Sequence, residues 1–168
     1  MEKGAVKPPP LVASAFMPEQ SPVLHVCSLL NGEGAQYLII GGQAVILHGI
    51  VRATEDVDIL IESSEENCKR VLAALSKLKD GAAKQLTPSE LQQNVVVKIA
   101  DEVEVDVSTH AWKVSFSDAA KDAREIVIDG VRVPYLGLDS LIASKETYRE
   151  KDALDLSQLR YLKSRRNE

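Results

Sequence analysis

The 168-residue sequence has few aromatic residues, few cysteines and no long hydrophobic run. No apolar stretch approaches the roughly 18 to 20 residues that a membrane-spanning helix needs, so we expect no integral membrane segment. Residues 1–10 lack a long apolar core and contain the triplet Pro8-Pro9-Pro10, which is typical of neither a secretory signal nor a transit peptide. These absences predict a soluble, cytoplasmic protein.

The cysteine content argues against a disulfide-bonded protein, and the net charge argues against a histone-like protein. Cys27 and Cys68 are the only cysteines and are not in a metal-type spacing, so we expect free thiols and no disulfide in a reducing compartment. Lys and Arg number 20 against 25 Asp and Glu, a formal net charge of −5. A histone-like protein, which binds nucleic acid through its overall electrostatic field, is therefore excluded.

Proline is concentrated at the start of the chain, where it removes backbone hydrogen-bond donors that a helix or sheet would use. Five of the seven prolines occupy positions 8, 9, 10, 18 and 22. We interpret residues 1–20 as a proline-rich N-terminal arm, either disordered or packed on a partner chain, for example in a homodimer. Residues 21–168 are expected to form one α/β domain that ends in helices.

Hydrophobic periodicity within the domain alternates between helix and strand. We predict helices over residues 22–31 and 43–50, and a third helix that begins at Ser63 with Glu66 as its capping-box partner. Strands are predicted over residues 37–40, 57–61, 94–99, 103–107, 126–128 and 131–133. The last four form two antiparallel hairpins, the second turned at Asp129-Gly130. Leucines at helical spacing predict helices after residue 138.

Two strands carry carboxylates on one face. Side chains alternate along a strand, so Asp56 and Asp58 project to one side, and Glu104 and Asp106 do the same on their strand. Paired like charges are unfavourable unless a cation neutralises them, and such oxygen ligands suit Mg²⁺ or Mn²⁺. If the strands are neighbours, Asp106 or Glu104 completes a cluster of three carboxylates. The alternative to a metal site is that these acids simply occupy the solvent-exposed face of half-buried strands.

Gly41-Gly42 lies between a predicted strand and a predicted helix, about fifteen residues before the first acidic pair. Glycines at such a position let backbone N–H groups approach a phosphate. An ordinary tight turn is the alternative.

Together these motifs resemble the signature of the polymerase-β-like nucleotidyltransferase superfamily: Gly41-Gly42, a short helix, Arg52-x-Thr54, then Asp56-x-Asp58. The segment from Lys145 to Leu156 is similar to the C-terminal Lys, Arg, Lys-Asp and Asp motif of small AbiEii-toxin-like nucleotidyltransferases. The resemblance covers about residues 37–160. It implies the nucleotidyltransferase fold, with a mixed sheet of about five strands and helices mainly on one face.

The resemblance also implies roles for individual residues. Asp56, Asp58 and Asp106 would be the catalytic and metal-binding carboxylates. We prefer Asp106 to Glu104 because the corresponding acid of the family is flanked by apolar residues. The nucleotide and its phosphates would be bound by Gly41, Gly42, Arg52, Thr54, Lys145 and Arg149. Many relatives carry Ser at the position of Gly42. For Lys145, a structural ion pair with Asp152 or Asp155 remains the alternative.

The implied activity is metal-dependent transfer of a nucleoside monophosphate from an NTP to an acceptor hydroxyl, with release of pyrophosphate. The acceptor is RNA such as tRNA, a protein or a small molecule, and the AbiEii likeness implies a toxin–antitoxin pair with an antitoxin partner. A non-catalytic nucleotide-binding or regulatory subunit with the same fold is the alternative. Trp112 and Tyr148 could stack on a base, but such aromatic residues are more often part of a core, and no prediction depends on them.

Overall fold

The computed structural model describes residues 21–167, so the arm predicted over residues 1–20 lies outside the described residues. This part of the chain has seven α-helices: α1 (Pro22–Gly32), α2 (Gly41–Leu47), α3 (Glu65–Leu75), α4 (Pro88–Gln93), α5 (Phe116–Ala120), α6 (Leu138–Lys145) and α7 (Glu150–Arg166). Its strands are β1 (Tyr37–Ile40), β2 (Val57–Ile61), β3 (Val96–Ala100), β4 (Glu104–Ser108), β5 (His110–Ala111), β6 (Val114–Ser115), β7 (Arg124–Ile128) and β8 (Val131–Tyr135). No helix within residues 21–167 is both long enough and apolar enough to cross a membrane.

Six strands form one mixed sheet in the order β3-β4-β2-β1-β8-β7. The two predicted hairpins, β3–β4 and β7–β8, are confirmed as antiparallel pairs, and β1 pairs antiparallel with β2. Strand β4 lies parallel to β2, and β8 lies parallel to β1. The predicted mixed α/β class is confirmed, with one strand more than the five expected. Strands β5 and β6 form a separate two-stranded ribbon that the sequence patterns did not predict.

The core lies around the two central strands. All four residues of β1 are buried, and in β2 the consecutive residues Ile59 and Leu60 are both fully buried. Because consecutive residues of a strand face opposite sides, both faces of the sheet are covered at its centre. Buried residues of α1 and α3 join the same hydrophobic core, among them Leu30, Val71 and Leu75.

Two predicted helix starts require correction. Helix α3 is capped by Ser64, whose hydroxyl accepts a hydrogen bond from the Asn67 N–H at 3.2 Å, so the predicted Ser63–Glu66 capping box is wrong. The Glu62 carboxylate explains the shift, because it accepts hydrogen bonds from the Ser64 N–H (3.1 Å) and hydroxyl (2.7 Å) and fixes that residue as the cap. Helix α2 begins at Gly41 rather than at residue 43 and ends at Leu47.

Candidate active site

A cleft of about 710 Å³ opens beside the ends of β1, β2 and β4. All nine residues selected from the sequence as candidate site residues line it: Gly41, Gly42, Arg52, Thr54, Asp56, Asp58, Asp106, Lys145 and Arg149. Glu104, the competing third carboxylate, does not line this cleft. The fold thus brings together residues that are up to 108 positions apart in the sequence, from 41 to 149.

The parallel pairing of β2 and β4 places Asp58 directly opposite Asp106. Burial is the main reason that the pKa of Asp58 is raised to about 6, and a hydrogen bond with Asp106 and the Asp106 charge raise it further. Asp106 Oδ1 is buried and accepts no hydrogen bond, although the Lys98 ammonium lies 3.5 Å away as an ion pair. A buried carboxylate oxygen without a donor is a costly arrangement that a bound cation would relieve.

Asp56 lies one residue before β2 and shares a hydrogen bond with Glu104, while its charge also acts on Asp58 and so helps to raise the pKa of that carboxyl group. The hydrogen bond with Glu104 is the main cause of the raised pKa of Asp56. Glu104 in turn forms an ion pair with Lys98 Nζ at 3.0 Å. Within residues 21–167, no three His, Cys, Asp or Glu side chains are already arranged as a metal-binding set. The donor chemistry and the unsatisfied Asp106 oxygen nevertheless fit a hard divalent cation at the Asp58–Asp106 pair.

Gly41 packs directly against Asp58, and Gly42 packs against Thr54 and Arg52. Gly41 has a φ of +65°, and a Cβ atom at this position would overlap the Asp58 carboxylate. At Gly42 a Cβ would lie 2.9 Å from Thr54 Oγ1 and 3.4 Å from the Arg52 guanidinium carbon. The Thr54 hydroxyl therefore lies beside the position that the side chain of a serine would occupy. Both glycines are required by close approach to cleft residues.

Three cations on one side of the cleft are paired with two buried aspartates of α7. Lys145 Nζ lies 3.0 Å from Asp155 and 3.4 Å from Asp152, so the ion pairs considered as the alternative for this lysine are both present. Arg52 contacts Asp155 at 2.5 Å, and Arg149 Nε contacts Asp152 at 2.7 Å. We call these five residues the charge cluster. Its formal charge is one positive unit.

Asp152 is fully buried, which by itself would raise the pKa of its carboxyl group. Hydrogen bonds from the Thr147 hydroxyl (2.5 Å) and from Arg149, with the charge of Lys145, outweigh burial and lower that pKa. Asp152 therefore remains ionised and fixes both cations.

The cleft is also lined by Ser108, His110 and Ser144, which sequence reasoning did not select. It is further lined by Lys151, which the sequence indicates as a weaker candidate for phosphate or acceptor binding, and by Trp112. A signal was available for Ser108, because strand alternation places it on the same face as Asp106. Trp112 is considered above as a residue that could stack on a base, but no sequence pattern predicts the β5–β6 ribbon on which it lies. His48 lies outside the cleft and is buried, with Nε2 at 2.7 Å from the Leu136 carbonyl oxygen.

Solved structures provide the comparison with known proteins. The chain is similar to an antigenic nucleotidyltransferase-like protein from Paracoccidioides brasiliensis, with a TM-score of 0.51 and 17% identity over 83% of this chain and 72% of that one. A putative nucleotidyltransferase from Thermotoga maritima is also similar, with a TM-score of 0.47 and 15% identity over 96% of this chain and 94% of that one. No protein-family model and no curated protein matches the sequence. The Paracoccidioides structure shows that this chain has the fold of nucleotidyltransferase-like proteins.

Proposed function

We propose that the protein is a metal-dependent nucleotidyltransferase that moves a nucleoside monophosphate from an NTP to an acceptor hydroxyl. The observation that carries the proposal is the Asp58–Asp106 pair, with its unsatisfied buried oxygen, packed against the Gly41-Gly42 turn in one cleft. The charge cluster lines the same cleft through Arg52, Lys145 and Arg149. Nucleotidyltransferase-like fold neighbours support the general class.

Asp58 and Asp106, joined by Asp56, would bind Mg²⁺ or Mn²⁺. When bound, such a cation neutralises triphosphate charge and polarises the phosphoryl group. Asp106 accepts the proton of the acceptor hydroxyl at its carboxylate. The hydroxyl oxygen then forms a bond to the α-phosphorus, the bond from that phosphorus to the β-phosphate bridging oxygen breaks, and pyrophosphate leaves.

The charge cluster supplies positive charge for the triphosphate. Two buried carboxylates hold three cations, so the side chains are positioned before substrate arrives while one net positive unit faces the cleft. Such preorganised charge requires little rearrangement during the reaction. Gly41 and Gly42 let the backbone lie directly beside Asp58, Thr54 and Arg52, so phosphates bound at these side chains would lie close to the backbone N–H groups.

The proposal also concerns which class of molecule carries the acceptor hydroxyl. The likeness of residues 145–156 to AbiEii-type proteins supports an RNA or protein acceptor within a toxin–antitoxin pair, with tRNA and protein side chains as the first candidates. A small hydroxylated molecule is the third acceptor class to be tested.

The test is transfer of label from each α-³²P NTP, with Mg²⁺ or Mn²⁺, to total RNA, protein or small molecules of a cell lysate. We expect labelled product with the unaltered chain and none with the Asp56→Ala/Asp58→Ala double variant. Asp139→Ala is the matched control, because this acid pairs with Lys163 outside the cleft. Asp106→Ala should abolish transfer while Glu104→Ala only reduces it; the reverse result would reassign the third carboxylate.

A non-catalytic nucleotide-binding subunit is the second candidate function. It is favoured by the arrangement of the acids, since no three of them within residues 21–167 already form a metal-binding set. Thermal unfolding with each NTP and Mg²⁺ separates the two functions, because a ligand at 100 times its Kd adds about 2.7 kcal/mol of stability. A shift without label transfer to any acceptor class would support the binding subunit.

A further inference from the structure

Trp112 and Tyr148 form an exposed aromatic pair at the mouth of the cleft. Trp112 lies in the turn between β5 and β6, and its ring centroid is 5.7 Å from that of Tyr148, in an edge-to-face arrangement with an interplanar angle of 75°. Trp112 is 43% exposed and Tyr148 is 87% exposed. The pair therefore lies on the surface, and the interpretation of these aromatics as core residues is wrong.

The backbone at Trp112 adds a second observation. Its φ is +58°, in the left-handed region that is unfavourable for a bulky side chain, so the fold places a large exposed ring in a strained turn. Exposure of the indole and strain in the turn both cost stability, and neither is recovered by packing in the core. Features of this kind are concentrated at ligand-binding positions.

A side cavity of about 250 Å³ adjoins the cleft at this pair. It is lined by Trp112, Ser144, Thr147, Tyr148 and Arg149. Trp112, Ser144 and Arg149 also line the main cleft, so the two spaces adjoin along a shared wall. The positive charge of Arg149 lies on the wall that they share, between the aromatic pair and the rest of the charge cluster.

Two hydroxyl groups of the side cavity, those of Ser144 and Thr147, form hydrogen bonds within the protein. Thr147 Oγ1 donates to Asp152 and accepts from the Arg149 N–H at 3.1 Å, while the Ser144 hydroxyl donates to the Leu141 carbonyl at 2.6 Å. These two side chains therefore already use their hydroxyl protons within the protein. Stacking on aromatic faces, by contrast, accepts every base because each has a π-face.

We propose that the Trp112–Tyr148 pair is the stacking platform for the nucleobase of the NTP, with little discrimination among bases. This inference rests on the proposed function, since the triphosphate then extends along the shared wall at Arg149 towards Lys145 and Gly41. Stacking on an aromatic ring corresponds to about a 5- to 150-fold gain in affinity over a ligand without a base.

Trp112 is the single tryptophan of the sequence, so its fluorescence reports on this position alone. The full chain with Mg²⁺ would be titrated with ATP, CTP and inorganic tripolyphosphate, with fluorescence corrected against free tryptophan amide and affinity measured by calorimetry. We expect both nucleotides to quench the indole and to bind at least about 5-fold more tightly than tripolyphosphate. Tyr148→Ala and Trp112→Ala should remove that advantage and leave tripolyphosphate affinity unchanged. Trp112→Phe should retain it, as should the control Tyr161→Ala, which alters an exposed tyrosine of α7.

Three outcomes would overturn the platform, and they separate it from the proposed function. Equal affinity for nucleotides and tripolyphosphate, unaffected by either alanine variant, would remove the platform and leave phosphate binding intact. Quenching by a short RNA but not by NTPs would assign the pair to the acceptor instead. If neither NTPs nor tripolyphosphate bind the unaltered chain, nucleotide binding itself fails, and the proposed function fails with it.

Discussion

At the scale of single residues, Gly41 combines a left-handed backbone conformation with close approach to the Asp58 carboxylate. Gly41 and Gly34 have nearly the same φ, +65° and +68°, but a Cβ would overlap Asp58 at Gly41 and would meet no atom within 4 Å at Gly34. Alanine in the left-handed region costs about 1–2 kcal/mol at either position. We expect Gly41→Ala to lower the free energy of unfolding by more than Gly34→Ala, as measured by urea denaturation.

The overlap with Asp58 is the reason for the difference, so removing that side chain should remove it. In an Asp58→Ala background, Gly41→Ala and Gly34→Ala should cost about the same. Equal costs in the unaltered chain would show that the turn moves away from Asp58 without penalty.

The lowered pKa of Asp152 predicts how the free energy of unfolding depends on pH. Its pKa is lower in the folded chain than the ordinary value of 3.8, so the folded state binds fewer protons in the window between the two values. Its contribution to stability is therefore complete above about pH 4 and is lost as the pH falls through the folded pKa. Asp152→Asn should cost about 1.5–3 kcal/mol at pH 7, because it weakens hydrogen bonds to a charged group.

The measurement is the free energy of unfolding of both proteins from pH 7 to pH 3. The difference between them should be largest near neutrality and should shrink in acid. A difference that is constant over the whole range would mean that the charge of Asp152 is not what stabilises the fold.

At the scale of secondary-structure elements, α7 supports the cleft through its buried face. Asp155 pairs with both Arg52 and Lys145, so Asp155→Asn leaves a buried lysine short of one partner. Loss of one member of a buried pair costs about 3–5 kcal/mol. Glu146→Gln, which disrupts the exposed Glu146–Arg160 pair at 3.3 Å, should cost at most about 1 kcal/mol.

Thermal or urea unfolding of the two variants tests this difference, and NTP titration adds a second readout. Asp155→Asn should also weaken NTP binding, since Arg52 and Lys145 lose their common anchor. Similar losses of stability in both variants would show that the buried pairs of Asp155 stabilise the fold no more than the exposed Glu146–Arg160 pair does.

The elements differ in how far local sequence determines them. Asp129-Gly130 specifies a tight turn between two apolar runs, so the β7–β8 hairpin was predictable. Alternation placed Asp56 with Asp58, and Glu104 with Asp106, on one face of each strand, but it did not show that the two strands are neighbours. The β5–β6 ribbon has only two residues in each strand, too few for a periodicity to show. The N-cap of α3 depends on hydrogen bonds from Ser64 to the Glu62 carboxylate. The capping-box pattern, which considers only the spacing of Ser63 and Glu66, does not include that contact.

The candidate site divides in the same way. The sequence motifs identified nine residues that line the cleft, but not the ion pair between Arg52 and Asp155, which are 103 positions apart. Such a contact depends on where α7 docks, and docking is decided by packing of the whole domain. Tertiary contacts of this kind have no local signature.

At the scale of the whole molecule, sheet order predicts a gradient of local stability. Strands β1 and β2 are central and buried, whereas β7 is an edge strand with four exposed residues out of five. Amides of β1 and β2 should exchange hydrogen only through global unfolding. Those of β7 should exchange about 100-fold faster or more, corresponding to openings about 3 kcal/mol less costly.

Hydrogen exchange followed by mass spectrometry of peptides from the two regions measures this gradient. Saturating NTP and Mg²⁺ should slow exchange at β2 and β4 more than at β7, because the candidate site lies between the former strands. Equal protection at β7 and β1 would indicate that the sheet edge is covered by a second chain.

The link between Arg52 and Asp155 also has a consequence during protein synthesis. Ribosomes add about 5–20 residues per second, so roughly 5–20 s separate the synthesis of residue 52 from that of residue 155. During that interval the nascent chain already contains Gly41, Gly42, Asp56 and Asp58 but lacks α7, whose Asp152 and Asp155 hold Arg52, Lys145 and Arg149. If the proposed function holds, the charge cluster would be complete only after α7 has been synthesised, so an NTP would not act as a template for the early folding of the chain.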